Sequence, residues 1–365
     1  MRTTFILGKD PSSESTGDMT LASLIMQIAR EEHEVDAICL SSTPSSERDG
    51  HTRVAKPEPE PLPLLVRSVL SHRSLLHTRF DIDALARAVD DHDTDQFVAD
   101  HSYMAECVLR SKRYDPSVHL TVSTTVSEVE IWKQTRGLPG RIDAPRIRRD
   151  ELRVARRARS VGCYESAETD DYRANGVPAT WLDLTLPPKA RVDPSDTPPR
   201  LLFLGDRRWA PNADAAELLI EWWPAIADGI AGAELVLVGA PDPDRPLPPL
   251  PDGVRDLGFV DDLGTALATC RALAAPIRTG GGVRVKILDV AARGLPVVGT
   301  RAAVGSLDSV LGLGVYDDRD AFVNQCRQLL TSPALAHRLG DSLYGANADR
   351  WRLRLPHRSV HEWLE

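Results

Sequence analysis

Two α/β domains built on parallel sheets are the fold class the sequence predicts, and three observations carry it. The chain opens as strand, loop, helix, strand (3–7, the loop GKDPSSESTGD, 19–30 and 35–40), the start of a parallel sheet. A Pro-rich segment, KARVDPSDTPPR, interrupts the pattern, and beyond it the rhythm restarts from a clean strand at 201–204. Inside that second half lies PIRTGGGVRVKILDVAARGLPVV, which reads as a Gly-rich turn, about eleven residues of helix stopping at Gly294, and a short strand.

The elements follow in order. The first loop lies at the carboxyl end of the first strand, where open α/β sheets bind ligands, and Gly17 lets backbone pass close to one. Residues 41–63 are rich in Ser, Pro and Glu and read as an exposed loop. Helices are expected at 64–76, 82–89 and 103–110, and short strands at 97–99 and 119–122. A helix begins at Glu151 after a basic stretch, followed by a strand at 162–164 and a capped helix over SAETDDYRANG. In the second half, strands are expected at 234–238, 254–259, 272–276 and 297–298, with helices at 213–226 and 263–269. Helices from Arg319 onward close the chain.

The length of 365 residues suits two domains, and a net charge of −9 argues against a general nucleic-acid binder. No apolar run is long enough to span a membrane, and MRTTFILGKD enters a strand pattern with no signal-peptide layout. Five dispersed cysteines with no CxxC pair fit reduced thiols, so a cytoplasmic setting is expected. The cluster DDHDTD contains two Asp-x-Asp triplets of a kind that can hold a divalent metal, but solvated charge explains them more simply, and no metal site is assigned. His357 and His361 stand four apart and read as a surface pair. The basic stretch over residues 141–159 offers a peripheral contact to anionic lipid; a solvated helix offsetting nearby acids is the competing reading.

The Gly-rich turn and its helix have a specific chemistry. Gly280, Gly281 and Gly282 let backbone lie against a ligand, and the helix start favours an anion there. Lys286 is placed in the second helical turn, with Asp289 three residues on along the same face; Val283, Ile287 and Val290 take the packing face. The chain holds six lysines against thirty-eight arginines, and beyond residue 180 only Lys189 and Lys286 are lysines. A compact point charge suits a phosphate, so the layout points to a nucleotide, tight packing alone being the competing reading.

With these pieces placed, the chain resembles glycosyltransferases of the GT-B fold, in the large retaining group called family four or group 1. LLFLGDRRWAPNADAAELLIEWWP resembles that family's opening of its second domain. ELVLVGA and VRDLGFVDDL resemble the next two strands, and PIRTGGGVRVKILDVAARGLPVVGTRAAVGSL the donor-binding motif. TGDMTLASLIMQIAREEHEV resembles, less fully, the glycine loop and helix of the first domain. The resemblance implies two Rossmann-like doubly wound domains facing across a cleft. Residues 1–190 would take the acceptor and 191–350 the nucleotide-sugar donor, with 351–365 a helix returning to the first domain.

The resemblance also implies roles. Lys286, assisted by Arg207 or Arg208, would neutralise the donor diphosphate; Asp289 stands where the family has a glutamate that binds the ribose hydroxyls. Gly281, Gly282 and Val283 would offer backbone N–H groups, with Arg284 beside them in the donor set. Phe259 and Val260 would flank the base, and Gly17 would close over the diphosphate. The family's commoner form has two acids eight apart, but Gly281 stands where the first would be, as in a subset of relatives. Where many relatives have a histidine after a mid-domain strand, VHLTVSTTV has Ser and Thr, and His101 is the nearest substitute as catalytic residue.

The implied activity is retaining, metal-independent transfer of a sugar from a nucleotide-diphosphate donor to a hydroxyl on a small or lipid-linked acceptor, with no cofactor. A GT-B sugar-nucleotide 2-epimerase and a non-catalytic paralogue that binds a partner are the alternatives.

Overall fold

Parallel pairing runs through both sheets, so each strand is covered on its two faces and reads as a nearly continuous apolar run. The computed structural model describes residues 1–14, 16–44, 50–58, 60–115, 119–124, 127–280 and 284–365. Two units emerge, one of Met1–Leu184 with Pro356–Glu365, the other of Thr185–Leu355.

The first unit carries β1 (Arg2–Leu7), β2 (Glu34–Ser41), β3 (Thr52–Ala55), β4 (Gln96–Asp100), β5 (His119–Thr124), β6 (Ser160–Cys163) and β7 (Ala179–Trp181). Their order is β3-β2-β1-β4-β5-β6-β7. Ile6 on β1 sits between Ile38 and Ala99 of its neighbours, and all three are fully buried. The second unit carries β8 (Arg200–Leu204), β9 (Glu234–Val238), β10 (Val254–Gly258), β11 (Ala272–Ala275) and β12 (Val297–Gly299), in the order β10-β9-β8-β11-β12. In each sheet the chain winds outward from its first strand and then returns to that strand's other side. The resulting switch points, β1/β4 and β8/β11, are where doubly wound sheets leave a crevice at the carboxyl ends of the strands. This is the expected fold class, GT-B, realised as two units.

The structure departs from the sequence reading in several places. The supposed loop 41–63 contains β3, an edge strand, held by a buried ion pair of Arg53 Nε with Asp10 Oδ2 at 2.7 Å. The basic stretch lies, up to Ala155, in one long helix, Gly137–Ala155, that accommodates Pro145; the turn-like residues Gly137, Pro139 and Gly140 had concealed its start. A further helix, Glu128–Thr135, and strand β7 had no clear periodic signal. The expected helix 64–76 is two, Pro61–Leu70 and Leu75–Phe80. The Pro-rich segment is not a free linker, because Lys189 N and Val192 N donate to Ala292 O and Arg293 O within the second unit.

The final helix, Leu355–Leu364, brings Trp363 into the first unit's core beside Gly162 of β6. His357 is buried rather than on the surface; it and His361 approach Glu31 at 3.6 and 3.9 Å, and His361 reaches Glu32 at 2.7 Å. The five cysteines are buried and unpaired. Among the described residues, no helix is long and apolar enough to cross a membrane.

Candidate functional site

In the second unit, β8 ends at Leu204, and from Gly205 the chain turns through Asp206, Arg207 and Arg208 into the helix Ala210–Ala227. The turn fits because Gly239, at the end of β9, has φ +132° and no side chain; a Cβ there would collide with the Gly205 carbonyl. Asn212 fixes the turn, its Nδ2 donating to Asp206 O at 2.8 Å. Its Oδ1 accepts from Lys286 Nζ at 2.7 Å, joining the β8 turn to the Gly-rich segment after β11.

Lys286 is the unusual group. The helix that carries it, Val285–Ala291, has seven residues rather than about eleven, so Lys286 lies in its first turn, not its second. The helix ends as Leu295 N bonds back to Val290 O and Gly294 takes φ +77°. The ammonium meets one neutral oxygen and lies 5.6 Å from the centre of the Phe203 ring. Among the described residues, no carboxylate lies within ion-pair distance of it. Burial alone pulls its pKa from the usual 10.5 down to about 8.

Asp289, 7% exposed, faces other cations: Lys189 Nζ donates to its Oδ1, and Arg293 Nε lies 3.6 Å from Oδ2. This helix therefore carries or contacts both lysines of the second unit, Lys189 in an ion pair and Lys286 without one among the described residues. Arg207 is 2% exposed, its Nη2 donating to both Asp256 oxygens at 2.8 Å. Its Nε and Nη1 are buried without a hydrogen-bond partner. Arg208, in contrast, is exposed and paired with Asp206. Phe259, 74% exposed, and Val260 follow the end of β10. Arg284 stands immediately before the helix Val285–Ala291. Gly281, Gly282 and Val283 lie outside the described residues.

In the first unit, a cavity of about 210 Å³ opens at the ends of β1 and β4, lined by Gly8, Lys9, Asp18, Asp100, His101 and Tyr103 among others. His101 is 7% exposed, and its φ of +74° is strained for a residue with a side chain. Its N–H donates to Ser123 O at 2.8 Å, and its ring stacks on Tyr103 with centroids 5.0 Å apart. Two carboxylates flank the ring, Asp100 at 3.8 Å and Glu128 at 3.9 Å. Burial pushes both above the ordinary carboxylate range. Burial also works against the Asp18 carboxylate, but Lys9 at 2.6 Å outweighs it and the net shift is downward. Gly17 is exposed and begins the helix Gly17–Ala29, beside Asp18.

Sequence reasoning missed Asn212 and Lys189, which sit 74 and 97 residues before Lys286 in the chain; Lys189's rarity was the one available signal for it. The acids of DDHDTD serve the fold. Asp90 accepts from Lys112 N, and Asp93 and Asp95 bind Arg2. No group of three or more metal-ligating side chains occurs among the described residues.

A family model described as Glycosyl transferases group 1 matches residues 198–332. Among solved structures, sucrose-phosphate synthase from Thermosynechococcus elongatus superposes with a TM-score of 0.72 at 17% identity, covering 100% of this chain and 99% of that one. WaaG, a glycosyltransferase involved in lipopolysaccharide biosynthesis, gives 0.64 at 15% identity with 98% of each chain covered. Anabaena HepE in complex with UDP and glucose gives 0.65 at 11%, covering 100% of this chain and 99% of that one. A search of curated proteins finds no match. The chain thus has the GT-B fold, and its residues 198–332 match the glycosyl transferases group 1 model.

Proposed function

We propose that the chain transfers a sugar from a nucleotide-diphosphate donor to a hydroxyl acceptor, with retention of anomeric configuration. The observation that carries the reading is the Lys286 ammonium, partly buried with a single neutral partner and no carboxylate within ion-pair distance among the described residues. A buried charge is costly unless something neutralises it, and an anion bound at the β8/β11 switch point does so. As the bond from the anomeric carbon to the diphosphate oxygen breaks, negative charge grows on that oxygen. Lys286, partly shielded from water, stabilises that charge more than it would in bulk solvent. Arg207 would offer its two unsatisfied N–H groups to the same anion, and Asp289 the oxygen that accepts no hydrogen bond to the ribose. In this reading charge relief on the leaving group comes from these cations, without a metal ion or cofactor. HepE, a fold neighbour, is described with UDP and glucose, which supports a nucleotide donor for this chain too.

The acceptor falls to the first unit, where His101 is the candidate for the group nearest the reacting sugar. The His101, Asp100 and Glu128 cluster also favours a second reading, a sugar-nucleotide 2-epimerase, which needs carboxylates and a histidine together. Incubation with nucleotide sugars separates the two. Sugar transfer to an added hydroxyl acceptor, with release of nucleoside diphosphate, supports the transferase. An epimerised sugar from donor alone supports the epimerase, and no turnover of any donor overturns both.

A further inference from the structure

We infer that one face of the first unit, formed by the helices Pro61–Leu70, Glu128–Thr135 and Gly137–Ala155, docks onto an anionic lipid bilayer. In the helix PLPLLVRSVL, apolar residues at 62, 65, 66, 69 and 70 follow the i, i+3, i+4, i+7, i+8 spacing of a helix that packs onto a core. Here that stripe points outward. Leu62 and Leu70 are 77% and 76% exposed, Leu65, Val66 and Val69 are exposed as well, and Ser68 is the one buried residue of the helix.

The second helix extends the patch. Arg146 Nη2 donates to Ser68 O and Ser68 Oγ, both at 2.9 Å, so the two helices meet at that point. Ile142 and Leu138 lie four and eight residues before Arg146, on the same stripe of their helix, and both are exposed. Apolar side chains thus stand on both sides of a shared contact.

Charge on this face is sorted. Asp143, Asp150 and Glu151 of the helix Gly137–Ala155 point inward and are buried, accepting from Leu75 N, Ser74 N and Glu128 N. Its exposed charges are Arg141 and Arg149, with Arg136 and Lys133 just before it; Glu130 pairs with Lys133. Glu58 and Glu60 precede the other helix, at the end away from Ser68. A chain of net charge −9 therefore presents a cationic and apolar face. Exposed leucines close in the chain to exposed arginines suit the boundary of an anionic membrane. A second copy docked on the same face would set these arginines against one another.

The test is flotation of the full chain with vesicles of phosphatidylcholine alone and with 30% phosphatidylglycerol, a composition of roughly the charge that attracts basic surfaces. The protein should float with the anionic vesicles and much less with the neutral ones. Changing Leu65, Val69 and Ile142 to serine together should lower partitioning about tenfold or more at both low and high salt. Arg136→Gln with Arg141→Gln should lower it by a similar factor at low salt only. All the changed residues are exposed, and an unaltered circular-dichroism melt confirms the fold of each variant. No flotation of the wild type, or full flotation of the triple variant, overturns the proposal. So does concentration-dependent dimerisation that the triple variant abolishes while the wild type ignores vesicles. The readout needs no turnover, so it stands or falls apart from the transferase reading.

Discussion

Changing Lys286 to methionine keeps the length of the side chain and removes its charge. In the folded protein burial lowers the lysine pKa from 10.5 to about 8, a penalty on the charged form of about 3 kcal/mol at neutral pH. The hydrogen bond to Asn212 returns about 1 kcal/mol. Lys286→Met should therefore stabilise the ligand-free protein by about 2 kcal/mol at pH 7. Between about pH 8 and 10.5 the unfolded lysine holds its proton while the folded one loses it, so wild-type stability rises with pH there. The advantage of the variant should shrink across that window and vanish above it. Urea denaturation followed by tryptophan fluorescence at pH 7 and pH 10 measures both effects. A variant less stable than wild type at pH 7, or a difference independent of pH, would refute the idea that Lys286 is a partly buried cation kept for a ligand.

Three other changes probe the frame around the site. Arg53→Ala leaves Asp10 without its ion-pair partner where both side chains are 1% exposed, and should cost about 3–5 kcal/mol in urea denaturation. His101→Gly releases roughly 1 kcal/mol of left-handed backbone strain while removing the ring. Its turnover should fall about 100-fold or more with donor affinity unchanged, and unchanged turnover would rule out a catalytic role. Gly162→Ala places a methyl group 2.8 Å from Trp363 and Leu182. It should loosen the final helix, seen as faster cleavage near the C-terminus in limited proteolysis, whereas an unchanged pattern would mean Trp363 adjusts without cost.

Legibility of the sequence followed local signal strength. The buried strands β1, β8 and β9 announced themselves as short apolar runs, and the restart at Leu201 revealed the second sheet. β3 did not, because an edge strand of THR-VAL type inside a Ser, Pro and Glu stretch owes its place to Asp10, more than forty residues away. The helix Gly137–Ala155 was hidden by its glycines and prolines, and by acids and arginines whose inward or outward direction only packing reveals. At the site, Lys286 stood out as a lysine in an arginine-using chain. Its lack of a counter-ion among the described residues, its bond to Asn212 and the pairing of Asp289 with Lys189 are tertiary facts that no local pattern carries. His101 was chosen as a substitute for a histidine expected elsewhere, and nothing in FVADHSYM foretold its positive φ or its two carboxylate neighbours.

The central claim, that the second unit holds a nucleotide diphosphate on Lys286, is tested most directly by titration calorimetry with UDP, GDP, dTDP and ADP. At least one should bind the wild type at pH 7, more weakly as the pH is raised through 8 and the ammonium loses its proton. Lys286→Met should weaken that binding on the order of 100-fold, the worth of a charge-assisted contact of about 2–3 kcal/mol. Binding of none of the four, or equal binding by wild type and variant, would contradict it.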